Sequence, residues 1–313
     1  MHLKVIDHLD EMALHWIARS PLAFVGMGNE TGVATTLAGG ARSFCAGDRE
    51  ALRLPLAALD DADLIRVGSA FGALFLVPGI GETLRVNGQV SAIEDDTAII
   101  SVSECYGHCA KALIRSDFWT ADPIDISYAT PVAFTLASRF IAFATVDADG
   151  QADLSPKGDP AGLMVRFDGE ELWFADRQGN RRVDSFRNMI TQPRVAATLL
   201  VPGSSQILSV RGVAKMTTDA AIRALFLVKD KTPLLAIGIA IDQLDLRESP
   251  ALRRAGLWPV TEADETIDAA KMFVGHVKLN RDKGLTAKVA SAVLSVPGLM
   301  KSGLAKDYES NLY

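Results

Sequence analysis

The chain has 313 residues, 49% of them apolar and 22% charged, and its 32 basic against 38 acidic side chains leave a net charge of −6. That length suits one large domain or two ordinary ones, and a large apolar share with only 13 prolines excludes long disorder. The acidic balance excludes a general phosphate-backbone binder, hence nucleic acid as a partner, but leaves room for a small anionic ligand held by a local Arg/Lys cluster.

Residues 1–16 scatter acids, His and Lys through apolar positions and read as no signal peptide. An apolar run over 21–27 leads into Gly26-Met27-Gly28-Asn29-Glu30-Thr31-Gly32. Its third glycine falls one place late for a dinucleotide fingerprint and no βαβ pattern follows, so a tight β-turn is expected. The longest strongly apolar stretch, 67–81, is too short for a membrane span and carries Pro78. Residues 76–88 (LVPGIGETLRVNG) combine a Pro-Gly turn with an alternating strand, and 200–212 (LVPGSSQILSVRG) repeat them at one constant offset. The repeat extends loosely: PLAFVGM (21–27) resembles RFIAFAT (139–145), and ALIRSDFW (112–119) resembles ALRRAGLW (251–258). The chain therefore divides into copy 1 (1–121), copy 2 (122–260) and a tail (261–313).

Copy 2 shows hairpins turning at Asp149-Gly150 and Asp168-Gly169, helical spacing over 183–190 and a strand over 194–200. This order predicts a mostly β fold with some α (α+β), one small, largely antiparallel barrel per copy. The tail carries helical spacing over 267–277 and 285–296, with Lys271, Lys278, Lys288 and Lys301 interspersed, as in helices that cover a barrel or join two subunits. Three cysteines (Cys45, Cys105, Cys109) make no disulfide framework and point to a reducing cytoplasm. Cys105-x-x-His108-Cys109 resembles a metal cluster, but nothing completes a zinc site, and no metal is expected.

Residues 138–162 and 173–203 resemble the pyridoxamine 5′-phosphate oxidase-like family of FMN-binding split β-barrels. The resemblance covers about residues 20–260 and rests on four motifs of a bacterial subgroup, divided here between the copies. Copy 2 carries Ser155-Pro156-Lys157-Gly158-Asp159 and Asp176-Arg177-Gln178-Gly179-Asn180-Arg181-Arg182. Copy 1 carries 81–88 (GETLRVNG) and 108–116 (HCAKALIRS), with TLAGG (36–40) in place of SPKGD. Copy 2 in turn has RESPALRRA (247–255) in place of HCAKALIRS. The resemblance implies two tandem split barrels packed as an internal pseudo-dimer, with one composite FMN site at their seam.

It implies that Arg181 and Arg182 grip the FMN phosphate, with Lys157 as a third cation; the competing reading is two solvated arginines in a turn. Ser155 suits a hydrogen bond to the ligand. Asp159 suits the ligand or a turn, and Asn180 and Ser185 suit the phosphate or a helix cap. Thr83 and Arg85 share one strand face, toward the flavin or toward solvent. Lys111 and His108 are substrate-side candidates, His108 the only candidate catalytic acid. The function implied is an FMN-dependent oxidoreductase of a small organic substrate. The alternative is a non-enzymatic flavin- or haem-binding sensor on the same fold, with His108 or His276 as haem ligand. A deazaflavin is a further alternative to FMN. The assembly expected is a monomeric pseudo-dimer, or a homodimer paired through the tail.

Overall fold

The computed structural model describes residues 4–29, 32–179, 183–280, 303, 306–308 and 310–313. Its first half runs α1 (Glu11–Arg19), β1 (Leu22–Asn29), β2 (Gly32–Gly39), β3 (Ala46–Gly47), β4 (Ala51–Pro55), β5 (Ala70–Leu76), β6 (Thr83–Glu94), β7 (Thr97–His108) and α2 (Lys111–Arg115). The second runs α3 (Pro131–Ala137), β8 (Phe140–Val146), β9 (Ala152–Gly158), β10 (Arg166–Phe167), β11 (Glu171–Asp176), α4 (Asp184–Thr191), β12 (Arg194–Leu200), β13 (Gln206–Thr217), α5 (Ala220–Ala224), β14 (Leu235–Glu248) and α6 (Pro250–Ala255). Helix α7 (Ala269–Leu279) follows, two residues later than the spacing of 267–277 predicts. The second expected tail helix, 285–296, lies outside the described residues.

The two halves fold alike. One sheet has the order β2-β1-β5-β6-β7-β4-β3; the other, read from its far edge, has β9-β8-β12-β13-β14-β11-β10. Strand for strand these are the same order, and each neighbouring pair is antiparallel. The mostly β architecture in two tandem barrels is therefore present. The glycine-rich segment at 26–32 belongs to the β1–β2 hairpin, with Asn29 opposite Gly32, and opens no βαβ unit.

Three apolar cores explain the long apolar runs. One fills the first barrel, one fills the second, and a third lies between them. Successive side chains of a strand point to opposite faces. In β1, Ala23, Val25 and Met27 enter the first barrel while Leu22 and Phe24 enter the seam. In β8, Ile141 and Phe143 enter the second barrel while Phe140, Ala142 and Ala144 enter the seam. Strands buried on both faces read as unbroken hydrophobic runs rather than alternating ones. Phe118 anchors the seam, its ring 5.1 Å from Phe140 and 5.3 Å from Trp258. The sheets approach so closely that a Cβ on Gly26 would lie 2.9 Å from Cβ of Ala144.

Each half also lends the other a helix. Helix α2 of the first half lies on β9 of the second, and α6 of the second lies on β2 of the first. The contacts are matched. Arg115 Nε donates to the Gly158 carbonyl at 2.8 Å, and Arg254 Nε donates to the Gly39 carbonyl at 3.0 Å. Among the described residues, no helix is long and apolar enough to cross a membrane.

Candidate functional site

Alternation along β9 sends Leu154 into the seam core and puts Asp153, Ser155 and Lys157 on the opposite face. Asp153 is the hub. Its Oδ1 accepts from Arg85 Nη1 at 2.5 Å, across the seam from β6. Its Oδ2 accepts from the hydroxyls of Ser155 and Ser185, each at 2.7 Å, and these hydroxyls lie 3.0 Å apart. Arg85 is fully buried. Burial alone would raise the Asp153 carboxyl, but the Arg85 guanidinium and the two hydroxyls bring it down to about 2.

Thr83 and Arg85 do share one face of β6, and that face is buried, which removes the solvent-facing alternative. The Thr83 hydroxyl oxygen has no hydrogen-bond partner among the described residues, so it is available to a ligand edge. Ser185 is not a helix cap: α4 has Val183 at its N-cap position, without a side-chain cap, and the Ser185 hydroxyl serves Asp153. Burial and the Arg85 charge hold His108 well below the usual imidazole range. A neutral ring orients a ligand by hydrogen bonding but lacks the acidic second proton of an imidazolium, which counts against a role as catalytic acid.

Four more cations lie on helix α2, toward the far end of β9 and just after β11. Lys157 Nζ pairs with Asp176 at 3.2 Å. Arg177 Nε pairs with Asp159 at 2.7 Å. Burial raises the Asp159 carboxyl, and the pair with Arg177 works against that rise. Thus Asp159 holds an arginine rather than capping the turn. Arg115, nearly buried, bridges Gly158, Gln178 and Leu312 carbonyls. Lys111, also nearly buried, pairs with Asp307 at 2.8 Å. Asn180, Arg181 and Arg182 lie outside the described residues. A cleft of ≈ 390 Å³ opens beside the hub, with Asn87 and Glu104 on one wall and Asp153 and Arg187 on the other.

Sequence reasoning missed Arg177, quoted only as part of a motif, and also Asp153, Arg115 and Asp307. Asp153 shares the β9 alternation with Ser155 and Lys157, so the same pattern could have found it. Arg115 stands inside the HCAKALIRS segment, but its targets are more than forty positions away in sequence. Asp307 carries no local signal.

The second seam site tests what the first requires. By strand register, Thr36 takes the place of Ser155, Ala34 that of Asp153 and Ala38 that of Lys157. Ser209 takes the place of Arg85. Both members of the buried ion pair are thus replaced together by small neutral residues. Two acids of a first-half loop are bound here instead. Asp61 accepts from Thr36 at 2.9 Å and from Arg247 at 2.5 Å, and Asp60 accepts from Ser249 at 2.5 Å and from the Ala251 N–H at 2.7 Å. The larger cleft, ≈ 540 Å³, lies at this second seam, so cavity size alone would pick the position without the motifs.

The hydrogen bonds at Asp153 make a prediction. Ser185→Ala should cost about 1.5–3 kcal/mol, the range for a bond to a charged group. It should also raise the pH at which the protein unfolds in acid, read by circular dichroism. An unmoved acid midpoint would mean that Ser185 does not hold the carboxylate.

Residues 131–247 match the family model described as pyridoxamine 5′-phosphate oxidase, a span within the second half. No curated protein matches the chain. Among solved structures, HupZ of Group A Streptococcus is similar at 16% identity, covering 39% of this chain and 97% of its own, with a TM-score of 0.32. An F420 reductase is similar at 18% identity, covering 38% of this chain and 98% of its own, with a TM-score of 0.29. General stress protein 26 of Bacillus anthracis str. Sterne is similar at 16% identity, covering 37% and 94%, with a TM-score of 0.29.

Proposed function

We propose that the chain binds one FMN at the seam between its barrels and uses it in oxidoreduction of a small organic substrate. The observation that carries this reading is the buried Arg85–Asp153 pair, which ties the GETLRVNG strand of one half to the SPKGD strand of the other. The second seam lacks that pair, with Ala34 and Ser209 at its two positions. The chain is on this reading a fused pseudo-dimer with one working site of two, and it works as a monomer or pairs through its tail.

The donor set fits the cofactor. Lys111, Arg115, Lys157 and Arg177 supply cations for an anion, joined in this proposal by Arg181 and Arg182 at the phosphate. The unpartnered Thr83 hydroxyl and the neutral His108 ring suit the polar edge of a flat heterocycle. FMN, when bound, supplies the electron- and hydride-transfer chemistry. The protein's own tasks are to hold the phosphate, fix the ring edge and keep water out of the seam. Asp153, ionised at every physiological pH, orients Arg85, Ser155 and Ser185 and takes up no proton itself.

Purified protein should show a two-banded flavin spectrum and release about one FMN per chain. Arg181→Ala combined with Arg182→Ala should lower FMN affinity about a hundredfold, the size of two lost charge-assisted contacts. Unchanged flavin content in that variant would end the phosphate assignment. A haem band in place of the flavin bands would favour the non-enzymatic alternative, and a deazaflavin would show in the mass of the released cofactor.

A further inference from the structure

Residues 306–308 and 310–313 lie against the candidate site and are held by both halves. Asp307 pairs with Lys111 at 2.8 Å. The Tyr308 hydroxyl donates to Glu82 at 2.9 Å and accepts the Ala110 N–H at 3.3 Å. Arg115 Nη1 donates to the Leu312 carbonyl at 2.9 Å. The Tyr313 ring lies 5.5 Å from the Arg177 guanidinium and 5.6 Å from Lys229 Nζ, and its carbonyl accepts from Lys231 Nζ at 2.8 Å. Glu82, Ala110, Lys111 and Arg115 belong to the first half; Arg177, Lys229 and Lys231 belong to the second.

We infer that the 306–313 segment is a resident, displaceable occupant of the composite site, whose seating and the binding of an anionic ligand exclude each other. The inference rests on the FMN reading and adds regulation to it.

The argument is one of charge. The Lys111 side chain is only 4% exposed, and its ammonium needs a counter-anion in place. Asp307 supplies that anion from the chain itself. A phosphate or a flavin edge reaches Lys111 only by taking the place of Asp307, so one anion replaces another and Lys111 is never left bare. Arg115 behaves in a similar way: its Nη1 donates to the Gln178 and Leu312 carbonyls, and the second of these bonds is released only when the segment leaves. The Tyr313 ring, set against two cations, covers the same face with a flat aromatic body.

The experiment compares the full chain with Asp307→Asn combined with Tyr308→Phe, and with Asp307→Asn alone should the double variant fold poorly. Two readouts are taken: hydrogen–deuterium exchange over 306–313 and FMN affinity by flavin fluorescence. Without ligand, the variant should exchange over 306–313 at least about tenfold faster. If the seated state is about 90% populated, the variant should bind FMN about tenfold more tightly, because affinity scales with the competent fraction. In the unsubstituted chain, FMN should deprotect 306–313. Protection that stays or rises when FMN binds would overturn the inference, since the segment would then share the site with the ligand. Equal affinities with equal exchange would overturn it as well. If neither protein takes FMN, the flavin reading fails separately, and inorganic phosphate becomes the probe. Phosphate that deprotects 306–313 upholds the exclusion, and saturating phosphate that does not overturns it.

Discussion

Arg85→Ala should destabilise the protein by about 3–5 kcal/mol, the cost of leaving one member of a buried ion pair uncompensated. Both partners are sealed from water, with side-chain exposures of 0% and 6%. The substitution deletes the Arg85 cation from Asp153 and leaves a carboxylate with two hydroxyl donors in a dry site. Its effect on pH dependence has a definite sign. In the folded protein the Asp153 carboxyl is depressed from its usual 3.8 to about 2, so its contribution is present above pH 4 and is lost as pH falls toward 2. Without Arg85, burial is opposed only by the hydroxyls, the carboxyl rises, and acid unfolding starts at a higher pH. Urea unfolding at pH 7 and at pH 4 measures both effects. The pair can also be removed whole: Arg85→Leu with Asp153→Leu should cost less than the sum of the single changes, because no unpaired charge remains. A cost below about 1 kcal/mol for Arg85→Ala would show that water reaches the pair.

The second seam gives this prediction a natural control. Ala34 and Ser209 stand at the two positions of the pair, and that seam closes without it. The pair is therefore not needed to hold two such barrels together. What it supplies is a fixed, polar strand-to-strand joint at one site alone, beside a cleft that Asn87 and Asp153 line.

Much of this was legible in the sequence. The repeated LVPG segments mark β5–β6 and β12–β13, and the shared strand order follows from that repeat. The motifs divided between the copies stand on elements that meet in the fold, since helix α2 and strand β9 touch across the seam. Alternation along β6 placed Thr83 and Arg85 together but left the direction open, since a charged residue on a strand face usually means solvent. Only the arrival of Asp153 from the other half buries that face. The roles of Arg115 and Asp307 depend on contacts between distant segments, and no periodicity encodes such contacts. The glycine of SPKGD was read as part of a motif, whereas the fold gives it a mechanical reason.

That reason supports the second large expected effect. Gly158→Ala should cost about 3 kcal/mol, near the upper end for forced overpacking. A Cβ at this position would fall inside van der Waals contact of the Ala112 carbonyl, which is backbone and has no rotamer by which to move aside. The whole of α2 must lift from β9, and Lys111 and Arg115 travel with it. Gly39 is the matching position of the first half, where a Cβ would meet the Ala251 carbonyl of α6. Gly39→Ala should therefore cost a similar amount. Gly32→Ala, which meets nothing within 4 Å, should change stability by less than about 0.5 kcal/mol. Function separates the two costly variants. Gly158→Ala displaces residues of the proposed FMN site, so flavin affinity should fall along with stability. Gly39→Ala disturbs only the second seam, so the protein that remains folded should keep its flavin affinity. Denaturant unfolding and flavin titration on the three variants measure both quantities. Equal loss of flavin from Gly158→Ala and Gly39→Ala would show that the two seams are not distinct and would remove the single-site reading.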